Sequence, residues 1–165
     1  MAIRVAFPPE KTVPIREQIA VMKLHFPNFQ TRWRRNLVIW IGEIQPDPLS
    51  DLYRVKITYG LQQRPVVSVL TPALHAEEPL PHLYRDGNLC LYRPSKGEWT
   101  QRRHIATTIV PWTALWLYYY EIWQATKQWH GGGEHPDLPN VQKQTNFQYL
   151  QSLWQPAEKD QSVVS

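Results

Sequence analysis

The sequence is short of cysteine, of glycine and of long apolar runs, and each shortage excludes something. A single cysteine in 165 residues cannot close an internal disulfide, so packing alone must hold the fold. No stretch reaches the roughly 18 unbroken apolar residues of a membrane-spanning helix. The opening "MAIRVAFPPEKTVP" lacks the apolar core of a signal peptide, and a cytoplasmic protein is the expectation. Glycine is outnumbered by proline, 7 to 15, which implies rigid connections rather than flexible linkers. The one glycine run, Gly131 to Gly133, follows no strand pattern and precedes no Gly-Lys-Ser/Thr, so a phosphate cradle is not indicated. A G-x-S-x-G nucleophile elbow is also missing.

Two further classes are weakly supported. His130, Glu134 and His135 in "HGGGEH" bring metal-ligand types together, but they miss both HExxH and HxxEH. Three successive glycines would not hold those side chains on one helical face. No metal and no cofactor is expected. The net charge is +4, and the basic residues are scattered except for Arg32, Arg34 and Arg35 and the run Arg102, Arg103, His104. Such short runs read as solvated faces rather than as a nucleic-acid stripe.

What is present is ample core material: 42% apolar residues, with 8 Trp and 8 Tyr. The length suits one domain, placed at residues 1–154, with the polar stretch 155–165 as a disordered tail. Residues 12–26 carry Ile15, Ile19, Met22 and Phe26 at helical spacing, with Thr12 as cap, Pro14 in the first turn and Pro27 as the stop. Three β-rich runs follow, 37–44, 52–59 and 66–70, separated by short turn-rich connections, which predicts an antiparallel meander. Helical spacing returns after Trp99, with Thr100 as cap, and strengthens from Pro111, where Trp112, Leu115, Trp116, Tyr119, Ile122 and Trp123 form one stripe. Such a stripe belongs in a core before it serves as a ligand platform. A short final helix is predicted over 141–154. The class is α+β.

Between Thr71 and Thr100 neither period is sustained. Long ordered loops of this kind usually carry function, and this one holds the cysteine, in "PHLYRDGNLCLYRPSKGEWT" from Pro81 to Thr100. Free cysteine is most often a small buried apolar residue. Here Leu89 and Leu91 are placed to anchor a short extended piece while Cys90, on its opposite side, points outward. His82, Arg85, Asp86, Asn88 and Arg93 surround it in sequence. These groups are able to stabilise a thiolate or donate to an oxyanion. Both readings, buried spacer and nucleophile, stand on the residues alone.

The element order, together with specific residues, resembles the ubiquitin-conjugating enzyme fold over roughly residues 12–130. "RPVVSVLTPALH", Arg64 to His75, is similar to that family's third strand and the segment leading to its His-Pro-Asn tripeptide. "DGNLCLYRPSKGEWT" resembles its catalytic cysteine followed by a Trp-Ser/Thr pair, which places Cys90, Leu91, Trp99 and Thr100 on matching positions. "LCLY" with "EWT", then "TIVPWTALWLYYYEIWQATKQWHGGGEHP", resembles bacterial members encoded in antiphage (CBASS) operons beside a cyclic GMP-AMP synthase-like nucleotidyltransferase. With no room for an adenylating domain, the chain resembles their short, stand-alone form.

The resemblance implies a transferase whose Cys90 accepts the C-terminus of the nucleotidyltransferase as a thioester and passes it to an amine. The tripeptide itself is missing. Leu80-Pro81-His82 occupies its place counting back from Cys90, and His75 takes its histidine counting forward from the third strand. The oxyanion role of the family's Asn therefore moves to His82, a donor through either ring nitrogen, with Asn88 in reserve and His75 and Trp99 as supporting residues. The alternatives are a non-catalytic binding module that keeps the fold, and a Cys-His hydrolase.

Overall fold

A computed structural model of the chain describes residues 11–74 and 79–132. It opens on α1, Ile15–His25, which buries Ile15, Gln18 and Met22. Pro14, not Thr12, occupies the cap position, and no side chain caps the helix. Its first turn closes through the Gln18 N–H donating to the Pro14 carbonyl at 3.0 Å. At the other end the Phe26 N–H donates to the Met22 carbonyl, and Pro27, with no N–H to give, ends the helix.

Four antiparallel strands follow in the order β1-β2-β3-β4: β1 Gln30–Arg34, β2 Leu37–Ile44, β3 Tyr53–Gly60 and β4 Val66–Thr71. The predicted meander is β2 to β4. β1 is an addition to it, because "QTRWR" is exposed along its whole length and an edge strand that buries neither face shows no apolar alternation. Arg35, at φ 51, turns the chain between β1 and β2.

On β2 and β3 the alternation is that of a sheet covered on one face. Val38, Trp40 and Ile44 pair with Tyr59, Ile57 and Tyr53, and all six are buried. Phe29 lies across this layer, because Gly42 has no Cβ to occupy the space its ring fills.

The second helix, α2, spans Ile109–Thr126. The turn-rich stretch 101–108 stands where the helical pattern was expected to begin, and Thr100 is not its cap. The cap position is Thr108, whose hydroxyl instead donates back to the His104 carbonyl at 2.7 Å. Pro111 removes one of the N–H groups a cap would satisfy. The aromatic stripe is core: Trp116, Tyr119 and Trp123 are buried, Trp112 is partly so, and Tyr53 meets Tyr120 edge-on at 6.4 Å. The Tyr53 hydroxyl and the Asp51 N–H both donate to Glu121, tying β3 to α2. Among the described residues no helix is long and apolar enough to cross a membrane. The predicted helix at 141–154, the tail, and Glu134 and His135 of the discounted metal motif lie outside the described residues.

Candidate functional site

Within the loop that showed no period, residues 82–90 form a small hairpin. Leu83 and Leu89 bridge as an antiparallel pair, the Cys90 N–H donates to the His82 carbonyl at 2.9 Å, and the Tyr84 N–H donates to the Asn88 carbonyl at 2.9 Å. The turn closes through the Gly87 N–H to the Tyr84 carbonyl. Gly87 sits at φ 79, where a side chain would be strained. The Asp86 carboxylate accepts the Asn88 N–H at 3.1 Å. These residues form a hairpin because Asp-Gly supplies the turn, and because Leu89 has a core to enter.

Leu89 is buried, and its N–H donates to the Val67 carbonyl of β4 at 2.8 Å. Leu91 is partly buried against the same core. Cys90, between them, is a free thiol of intermediate exposure. Of the expected alternation, the inward packing of Leu89 is seen, while Cys90 and Leu91 are both of intermediate exposure.

The surrounding candidates take different places. His82 is buried at φ 54, and its ring lies 5.0 Å from that of Trp129. Its carbonyl accepts both the Cys90 N–H and the buried Trp116 indole N–H at 3.0 Å. Asn88 is half-buried and contributes its backbone carbonyl to the hairpin. Arg93 is engaged by Glu98, through a 3.3 Å ion pair and a 2.7 Å bond from its own N–H. Arg85 and Asp86 are exposed at the turn. Trp99 is buried, edge-on to Tyr59 at 5.7 Å and 6.3 Å from Tyr92. His75 lies outside the described residues.

Three residues that sequence reasoning passed over are electrostatically linked to one another or to Cys90. Tyr84 stands one step diagonal from Cys90 across the hairpin and is electrostatically linked to it, and Arg64 acts on Tyr84 from the turn before β4. Tyr92, wedged between Trp99 and Trp112 at 6.3 and 5.9 Å, senses both Cys90 and Arg64. Burial first, then the neighbouring Cys90, pushes Tyr84 up to about 12, with Arg64 opposing. Burial likewise pushes Tyr92 up to about 12, against the pull of Arg64. Both phenols are therefore neutral, and Tyr84 is able to donate, throughout the range in which a thiolate works.

The signal for Tyr84 was present in the sequence. Once "RDGN" is taken as a hairpin turn, Tyr84 lies diagonal to Cys90 on one face, within reach of an aromatic side chain. Arg64 carried no such signal, since only the course of β4 brings residue 64 near residue 90.

The arrangement is a free thiol of intermediate exposure on a hairpin fixed by backbone hydrogen bonds, with a neutral phenol on the neighbouring strand. The family model described as Type II CBASS E2 protein matches residues 18–136 of the chain. No curated protein matches it.

Proposed function

Starting from the chain's membership of the type II CBASS E2 protein family, we propose that it is a cysteine acyltransferase in which Cys90 carries the cargo as a thioester. The observation that carries this reading is that Cys90 is a free thiol of intermediate exposure, set on a hairpin whose neighbouring Leu89 is locked into the core. Leu89 is the buried residue at this point, and Cys90 keeps part of its surface.

In the first step the Cys90 thiolate attacks the carbonyl carbon of an activated acyl group. The C–S bond forms as the carbonyl π pair moves to oxygen. The oxyanion then collapses, and the former leaving group departs with its electron pair. In the second step an acceptor amine attacks the thioester, a C–N bond forms, the Cys90 sulfur leaves as thiolate and the surplus amine proton passes to solvent. The thioester conserves activation, so this step needs positioning and oxyanion support more than a strong base.

The cargo we propose is the C-terminus of the CBASS nucleotidyltransferase, activated before it reaches this chain. His82 takes part chiefly as a positioning residue, because its carbonyl fixes the Cys90 amide while its ring packs beside Trp129. Asn88 holds the other hairpin strand. Trp99 backs Tyr92.

Intact mass spectrometry of the chain co-expressed with the operon's nucleotidyltransferase tests the reading. An adduct of the partner's acyl mass, lost on thiol treatment and absent in Cys90→Ala, is the expected result. A stable complex with no adduct, unchanged by Cys90→Ala, would instead establish a binding module.

A further inference from the structure

We propose that Tyr84 is the hydrogen-bond donor of the Cys90 site, holding the thiolate before attack and the oxyanion after it, with Arg64 as the positioning cation behind the pair. The proposal rests on the reading of Cys90 as nucleophile and adds the donor that the missing Asn leaves open.

The geometry begins with the hairpin. The Tyr84 N–H and Asn88 carbonyl, the Leu83–Leu89 bridge, and the Cys90 N–H and His82 carbonyl fix a register in which Tyr84 stands one step diagonal from Cys90. At that spacing a phenol spans the gap between strands, which puts the Tyr84 side chain on the same face of the hairpin as the Cys90 thiol. Backbone bonds of 2.9 Å on either side leave the donor little room to drift, which is what preorganised stabilisation requires. Tyr84 is also partly exposed, at 37%, so an incoming acyl group has access to the same hydroxyl.

The other ionisable neighbours support this division of roles. Arg93 is engaged by Glu98. Tyr92 is packed between two indoles, held for shape. Arg64 is exposed, and its charge acts on both Tyr84 and Tyr92. It favours negative charge anywhere in the cluster, on sulfur or on a carbonyl oxygen. During attack the charge leaves sulfur and appears on the oxygen of the same tetrahedral centre. A single neutral hydroxyl beside the sulfur follows it without any proton being transferred.

The test is the rate of Cys90 alkylation by iodoacetamide in the full chain, from pH 6 to 10, for wild type, Tyr84→Phe and Arg64→Gln. A donor at the sulfur both raises the thiolate population and quiets its nucleophilicity. Tyr84→Phe should therefore react about three- to tenfold more slowly than wild type near pH 7 and at least as fast at pH 10, so that the two profiles cross. A merely structural change would displace the whole profile in one direction, and that result, or coincident profiles, would overturn the proposal.

Arg64→Gln alters an exposed side chain and leaves the fold alone. It should slow the neutral-pH reaction about twofold, an effect that fades at about 1 M salt; no effect at low salt would remove Arg64 from the pair. In single-turnover transfer with the nucleotidyltransferase, Tyr84→Phe should lose about 10- to 100-fold. Alkylation needs no partner. A crossing profile without any thioester would thus sink the acyl-carrier reading and leave the Tyr84–Cys90 pair standing.

Discussion

The Trp116 indole N–H donates to the His82 carbonyl across 3.0 Å of buried space, and that carbonyl also accepts the Cys90 N–H. One oxygen therefore joins α2 to the strand that carries the thiol. Trp116→Phe keeps most of the apolar area but removes one of the two donors on this oxygen together with part of a buried ring, which should cost about 1–3 kcal/mol of stability. It should also slow Cys90 acylation beyond what the stability loss explains, as read by denaturant unfolding beside single-turnover assays.

Gln18 is almost fully buried, at 1% exposure, and it bridges α1 to the turns before α2. Its Nε2 donates to the Arg103 carbonyl at 2.9 Å, and its Oε1 accepts the Ile105 N–H at 2.9 Å. Gln18→Leu preserves volume and strands both groups, so unfolding should ease by about 2–4 kcal/mol. In a thermal scan that corresponds to a midpoint about 5–10 °C lower.

Any side chain at position 42 collides with the Phe29 ring, and the ring has the sheet beneath it. Gly42→Ala should cost about 1–3 kcal/mol. The loss should shrink in a Phe29→Leu background, because the two positions compete for one space. Additive effects in that double-mutant cycle would show that the close approach is not the cause.

Tyrosine ionisation supplies a pH prediction. Tyr84 and Tyr92 are each pushed up to about 12, and burial also raises Tyr59, whereas an unfolded tyrosine loses its proton near about pH 10. Between those values the unfolded chain has given up protons that the fold retains, so rising pH favours unfolding. The stabilisation is whole below about pH 10 and is lost as pH climbs toward about 12. Phenolate absorbance should show these residues titrating late, together with unfolding. A simple titration near pH 10 in folded protein would contradict the cause given.

Much of this molecule was legible in its sequence. The spacing of Ile15, Ile19 and Met22 marks α1, and the alternation in 37–44 gives β2 to the residue, because burying one face of an element leaves its period in the chain. The strand Gln30–Arg34 left no period, since it buries neither face. Residues 101–108 carry apolar side chains such as Ile105 that are buried from turns rather than from a helix. Composition therefore promised helix where Pro111 and the Gln18 bridge dictate otherwise.

The site divides along the same line. Asp86-Gly87 and the flanking leucines, local features all, determined by themselves that Cys90 would stand on a short extended segment beside a buried Leu89. Tertiary structure decided which chemical groups neighbour Cys90. Arg93, three residues away, is taken by Glu98, and the backbone of His82 is taken by Cys90 and Trp116. Arg64, far off in sequence, arrives because β4 pairs with Leu89. Turn chemistry acts over a few bonds and is written in neighbouring residues, whereas the electrostatic surroundings of a thiol depend on distances that exist only after the sheet and α2 have packed.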